Sequence, residues 1–150
     1  MINEDVKKSI KDSVLCWLAT SDNEYPNVSP KEIFSYYNDK ILIANIASPQ
    51  SSKNISMNAK VCVSFIDILV QKGWKVNGTA KVIKTGHSDF KEYKDVLEEM
   101  TKGLFPFQAI FEITPTRCKE IIAPGYLFYP DKTTELSQIA SAKKTYKLDR

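Results

Sequence analysis

The apolar positions of this chain fall into short blocks divided by polar turns, and the spacing within each block predicts its element. Val6, Ile10 and Val14 recur along one stripe of "NEDVKKSIKDSV", which predicts a short N-terminal helix. "VLCWLAT" is a compact apolar run that reads as a strand, and "SDNEYP" after it is a turn. "NVSPKEIFSYY" reads as a second strand with Pro30 inside it. Proline cannot donate to a ladder, so that position belongs at an edge, a bulge or a kink. "YNDK" then turns the chain into "KILIAN", forming a hairpin, and "KVCVSFID" predicts a further strand.

The clearest alternation is "WKVNGTAKVIKTG". Trp74, Val76, Gly78, Ala80 and Val82 point one way, and Lys75, Asn77, Thr79 and Lys81 the other. Gly78 within a strand predicts a bulge or a close approach by something bulky. "HSDFKEYKDVLEEMTKG" predicts a helix with Ser88 as N-cap, a stripe of Phe90, Tyr93, Leu97 and Met100, and Gly103 as the stop. "FQAIFEIT" and "RCKEII" read as two more strands, and "TTELSQIASAKKTY" as a C-terminal helix. The pattern defines a mainly β (α+β) domain: an antiparallel six- or seven-stranded barrel, closed or split, with short flanking helices. It is not doubly wound, because strands and helices do not alternate and no G-x-G-x-x-G follows a strand. A single domain over residues 1–150 is expected, large enough to bury roughly 70% of the unfolded chain's surface.

Composition then removes whole classes of function. The net charge of +3, from 21 basic and 18 acidic residues, is too mild for a nucleic-acid partner, and no Lys/Arg block stands out. The arginines are only Arg117 and Arg150, and arginine's planar fork is the better tool for reading grooves. "MINEDVKKSIKD" has no apolar h-region, and no apolar run approaches the ~20 residues that cross a bilayer. Cys16, Cys62 and Cys118 are odd in number and far apart, which fits a reduced, cytoplasmic setting. The lone histidine, His87, leaves no His/Cys set for zinc.

The candidate chemistry lies in "ASPQSSKNISMNAKV", Ala47 to Val61, between two strands. Pro49 to Asn58 fits one or two turns of helix, with Ser48 as N-cap and Pro49 tolerated in the first turn. The unpaired first-turn amides and the positive end of the dipole make an anion site. Ser51 and Ser52 add hydroxyls, Gln50 and Asn54 add amides, and Lys53 adds a compact cation. A phosphate monoester is the matching guest. A surface helix with capping and solvated side chains has the same composition, so both readings stand on this segment alone.

Taken in order, "LATSDNEYPNVSPKEI", "ILIAN", "SSKNISMNAKVCVSFID" and "WKVNGTAKV" resemble the FMN-binding split-barrel family, whose best-known member is pyridoxamine 5′-phosphate oxidase. The resemblance spans about Leu18 to Val82. It implies a split barrel, FMN as cofactor, and a homodimer with flavin at the subunit interface. It implies that backbone groups of Ser29, Pro30, Lys31, Glu32 and Ile33 run along the isoalloxazine. Ile43, Ala44 and Asn45 would flank the ribityl chain and phosphate, and Gln50, Ser51, Ser52, Lys53 and Asn54 would form the phosphate turn. Trp74 and Lys75 would come from the partner subunit. Relatives often carry an Arg-Lys pair where this chain has Gln50-Ser51. In the resemblance, Pro30 leaves a ladder break beside the ring and Gly78 leaves room for it. The C-terminal Arg/His signature with which the oxidases grip substrate phosphate has no histidine counterpart in "KKTYKLDR".

Other residues have bland readings beside functional ones. His87 is a surface or capping residue unless it serves the site. Cys16 and Cys62 read as core, Trp17 as core or dimer interface, and Trp74 as core or flavin contact. "APGYLFYP", Ala123 to Pro130, either closes over a flavin edge or packs as a loop. No side chain can be named as a catalytic acid or base. The expected function is a small FMN-dependent oxidoreductase acting on a small-molecule redox substrate. The alternatives are a non-catalytic flavin-binding or redox-sensing protein, and a haem-handling or deazaflavin-using relative on the same barrel.

Overall fold

In a computed structural model, residues 1–148 are described; Asp149 and Arg150, the end of the "KKTYKLDR" run, lie outside them. Helix α1 (Glu4–Asp12) is followed by strands β1 (Cys16–Ser21), β2 (Pro26–Lys31), β3 (Phe34–Tyr37) and β4 (Lys40–Ala44). Next come helix α2 (Pro49–Met57), strands β5 (Lys60–Asp67) and β6 (Lys72–Lys84), helix α3 (Phe90–Thr101) and strand β7 (Ala109–Ile122). Helices α4 (Pro124–Phe128) and α5 (Glu135–Thr145) close the described chain. The seven strands form one antiparallel sheet in the order β2-β1-β5-β6-β7-β4-β3, curled into a half-barrel.

The curl follows from one connection. β2 and β3 are consecutive in sequence yet lie at opposite edges of the sheet, joined only by Glu32 and Ile33. Three residue steps reach at most roughly 11 Å, so the two edges must approach each other at Lys31 and Phe34. The expected single strand "NVSPKEIFSYY" is therefore two strands. The reason is a change of parity. Lys31 is buried on one side of the bend and Phe34 and Tyr36 pack in the same core beyond it, which a continuous period of two does not allow. Pro30 sits on an edge strand, as its missing donor requires.

"FQAIFEIT" and "RCKEII" are one 14-residue strand rather than two. A bulge opposite Asn77/Gly78 absorbs the irregularity, with Gly78 opposite Pro115. β4 pairs with β7 only from Ile110 to Ile113, so Pro115 falls where β7 has no neighbour on that side. The bulky group beside Gly78 is the strand itself: a Cβ there would meet the Thr114 carbonyl oxygen at 2.4 Å and Ile113 Cγ2 at 3.1 Å. The room expected for a ring is occupied by β7.

Two apolar clusters stabilise the curl. The first joins Val6 and Ile10 of α1 and Ile55 of α2 to Leu18, Phe34, Ile43, Phe65, Val76 and Phe111. Each fully buried aliphatic or aromatic side chain there contributes about 1.5–3 kcal/mol. The second seats α3, through Phe90, Tyr93 and Leu97, on Leu42, Ile83 and Ile110. Three helix details differ from expectation. Val14 lies beyond α1 and is 78% exposed. Asp89, not Ser88, occupies the N-cap position of α3, and His87 Nδ1 accepts the Asp89 amide at 3.2 Å. Thr101 is buried on α3 in place of Met100, because the stripe drifts by a residue as the helix ends in left-handed Lys102 and Gly103. No helix among the described residues is long and apolar enough to cross a membrane.

Candidate functional site

Where the two sheet edges meet without pairing, the split opens into a cleft of ≈ 300 Å³. It is lined by Pro30, Lys31, Glu32, Ile33, Ala44, Ile46, Ala47, Ser48 and Phe105. Five of these are residues expected at the site, and Ser48 is the expected N-cap position. The bend is held in place by the Ala44 amide, which donates to the Ile33 carbonyl at 3.0 Å. The Asn45 amide donates to Ala109 O at 3.0 Å, and Asn45 Oδ1 accepts the Ser48 amide at 3.1 Å. Asn45 therefore sets the turn that aims the start of α2 at the cleft.

Lys31 points inward from β2 under the start of α2, and only 7% of it is exposed. Its ammonium donates to Ser48 Oγ. Among the described residues no carboxylate lies within ion-pair distance of it. Burial pushes its pKa below the usual value of 10.5, with the nearby Cys16 thiol acting weakly the other way. Ser48 occupies the N-cap of α2, but its side chain caps no amide.

The remaining residues of the expected phosphate turn are divided by burial. Ser51 and Asn54 are each 1% exposed and tie α2 to the sheet. Ser51 Oγ lies 3.2 Å from Ser29 Oγ, and Asn54 Nδ2 donates to Thr20 Oγ1 at 3.0 Å. Gln50 Nε2 donates to Asn54 Oδ1 at 2.7 Å. Ser52 is half-buried, and Lys53 is exposed. Asp22 lies in the turn after β1. There the amides of Tyr25 and Glu24 hold the Asp22 carboxyl below its usual range, and the charge of Lys53 adds to that effect. Ile43 is fully buried in the first cluster, so only its backbone is available to a ligand.

Trp74 and Lys75 do not reach this cleft within one chain. Trp74 is half-buried and lines a separate, charged cleft of ≈ 360 Å³ with Asp67, Lys72 and Glu135. Lys75 is exposed on β6, opposite Ser64 of β5 and Lys119 of β7. Sequence reasoning missed Phe105, 53% exposed in the α3–β7 connection, and Ile46, 45% exposed. The aromatic between Gly103 and Pro106 was the available signal, since a loop has no core of its own in which to bury a phenyl ring. The aromatic segment after β7 instead forms α4, with Tyr126 donating to Val70 O at 2.8 Å. Cys62 is half-buried between the inward-facing Val61 and Val63, so its expected core role holds only for Cys16.

A curled antiparallel half-barrel with a cleft at its split defines the class, a split-barrel domain. The family described as pyridoxamine 5′-phosphate oxidase matches residues 2–121, and the chain belongs to that family. HupZ from Group A Streptococcus is 24% identical, with 79% of this chain and 92% of that chain covered and a TM-score of 0.66. An FMN-binding protein from Syntrophomonas wolfei is 16% identical, with 80% and 86% covered and a TM-score of 0.66. A FAD-binding protein from Mesorhizobium loti is 16% identical, with 77% and 89% covered and a TM-score of 0.62. At these identities the likeness is one of fold. A search of curated proteins gives no match.

Proposed function

We propose that this protein binds FMN in the cleft at its split and is a small flavin-dependent oxidoreductase that works as a homodimer. The observation that carries the reading is the convergence of Pro30, Lys31, Glu32, Ile33 and Ala44 with Ser48 on one cleft, in a chain of this family. The lining suits a ligand that is flat and apolar at one end and anionic at the other. Ile33, Ala44, Ile46 and Phe105 supply the apolar wall, and Lys31 and Ser48 the polar corner. A bound flavin supplies hydride and electron transfer. The chain's own part is to hold and orient: backbone groups of the Pro30–Ile33 bend border the ring, and the turn at Asn45 presents α2. Pro30, with no N–H, leaves its edge of the ladder open for a ligand.

The dimer is supported by what β1 and β2 leave uncovered. Trp17 and Val28 are 46% and 58% exposed, and Trp17 pairs with Pro30 of the cleft. A second copy over this patch would cover the apolar side chains and wall the cleft. Trp74 and Lys75 remain candidates for that partner contribution. Titrating flavin-free protein with FMN tests the binding reading. Quenching of flavin fluorescence at micromolar concentration, about 8 kcal/mol of affinity, is expected, and no binding below a millimolar, about 4 kcal/mol, refutes it. Turnover with a nicotinamide reductant and an electron acceptor separates an oxidoreductase from a flavin carrier or sensor.

A further inference from the structure

We infer that Lys31, and not Lys53, is the cation that selects a phosphate monoester at this site, at the start of α2. The inference deepens the flavin reading and rests on it for the identity of the ligand. Three observations converge. Lys31 is nearly buried and has no counter-charge among the described residues. Its ammonium reaches Ser48, the residue that opens a nine-residue helix. Both Lys31 and Ser48 line the cleft.

The electrostatics are unfavourable without an anion. A helix start carries a positive partial charge, which favours anions and disfavours cations. A buried ammonium is costly unless paired. Here the two positive groups face one corner, and Ser48 bonds to the lysine instead of capping the first-turn amides. An ammonium has three donors, and Ser48 Oγ takes one. A phosphate at that corner satisfies the ammonium and the helix start together, by charge-assisted hydrogen bonds. It also explains how the chain dispenses with a cation at Gln50-Ser51. The positive charge comes from β2, one layer below. Lys53 is less suited, because it is exposed on α2 and does not line the cleft.

The test titrates FMN and riboflavin into the full chain and into Lys31→Met, Lys31→Arg and Lys53→Ala, following flavin fluorescence, with circular dichroism to establish folding. The wild type should bind FMN at least about tenfold tighter than riboflavin. Lys31→Met should abolish that preference by weakening FMN alone, Lys31→Arg should keep most of it, and Lys53→Ala should stay within about twofold of wild type. Unchanged FMN affinity in folded Lys31→Met overturns the assignment, as does loss of the preference in Lys53→Ala, which decides the matter even if Lys31→Met does not fold. If the wild type takes up neither flavin, the flavin reading fails separately, and the anion assignment is read from melting in inorganic phosphate against chloride at matched ionic strength. A phosphate-specific rise in wild type and Lys53→Ala that is absent in Lys31→Met supports it. No rise in the wild type, or an equal rise in Lys31→Met, overturns it.

Discussion

Lys40 Nζ lies 2.8 Å from Glu112 Oε2, and the Glu112 side chain is 4% exposed. Tyr93 donates its hydroxyl to the same oxygen at 2.5 Å. One buried carboxylate thus joins β4, β7 and α3 beneath the second apolar cluster. Lys40→Met leaves that carboxylate buried with only Tyr93. The expected loss is about 1–3 kcal/mol in urea unfolding, the cost of an unpaired buried polar group. It should fall short of the roughly 3–5 kcal/mol of a fully buried pair, because the Lys40 side chain is 37% exposed and water reaches its place.

The same carboxylate predicts an acid limb of stability. Burial, the largest single influence on Glu112, raises its pKa; the hydrogen bonds from Lys40 and Tyr93 and the charges of Lys40 and Lys81 together outweigh it. The net pKa lies below the usual 4.5. The unfolded state then binds the proton more readily than the folded state, so stability rises with pH across the window between the two values. This contribution is complete above about pH 4.5 and is lost as acidification passes through the folded pKa. Unfolding free energies measured from pH 3 to 7 should show a fall on the acid side that Glu112→Gln flattens.

Gly78→Ala should destabilise the sheet. The new Cβ would lie 2.4 Å from the Thr114 carbonyl, which is backbone of the paired strand and cannot swing aside. A loss of about 1–3 kcal/mol in chemical denaturation is expected for such overpacking. An unchanged midpoint would show that the bulge opposite Asn77/Gly78 can open at no cost.

Trp17→Lys should produce a monomer. The variant places a charge in the apolar patch beside Pro30, and a two-fold interface would duplicate it. Sedimentation equilibrium at tens of micromolar, with FMN present, is expected to give 17.0 kDa for the variant and twice that for the wild type. A wild-type monomer would remove the interface from the proposal.

Thiol reactivity should be graded. Burial pushes the Cys16 thiol up to about 12, and burial also raises Cys62 and Cys118. Because the thiolate is the reactive form, a disulfide reagent at pH 8 should leave Cys16 untouched in the folded protein. Cys62 and Cys118, both half-buried, should react slowly, and all three should react at once in denaturant. Rapid modification of Cys16 under native conditions would contradict the packing around it.

Local chemistry made much of this protein legible from its sequence. Alternation in "WKVNGTAKV" and the stripe of Phe90, Tyr93 and Leu97 depend only on which side of an element is buried, and both appear in the fold. The ordered motifs carried the family and the segments that border the cleft. What only the tertiary structure decided is the division of labour within those segments. Gln50 to Asn54 read as one polar cradle. Yet Ser51 and Asn54 are spent on Ser29 and Thr20, distant in sequence, and Lys53 faces outward. The resemblance gave Lys31 a backbone role along the ring, and nothing local shows that β2 and β3 part at Glu32 and travel to opposite edges of the sheet. The curl that brings those edges together puts Lys31 beneath the start of α2, and such closure is a property of long-range pairing that no window of residues contains.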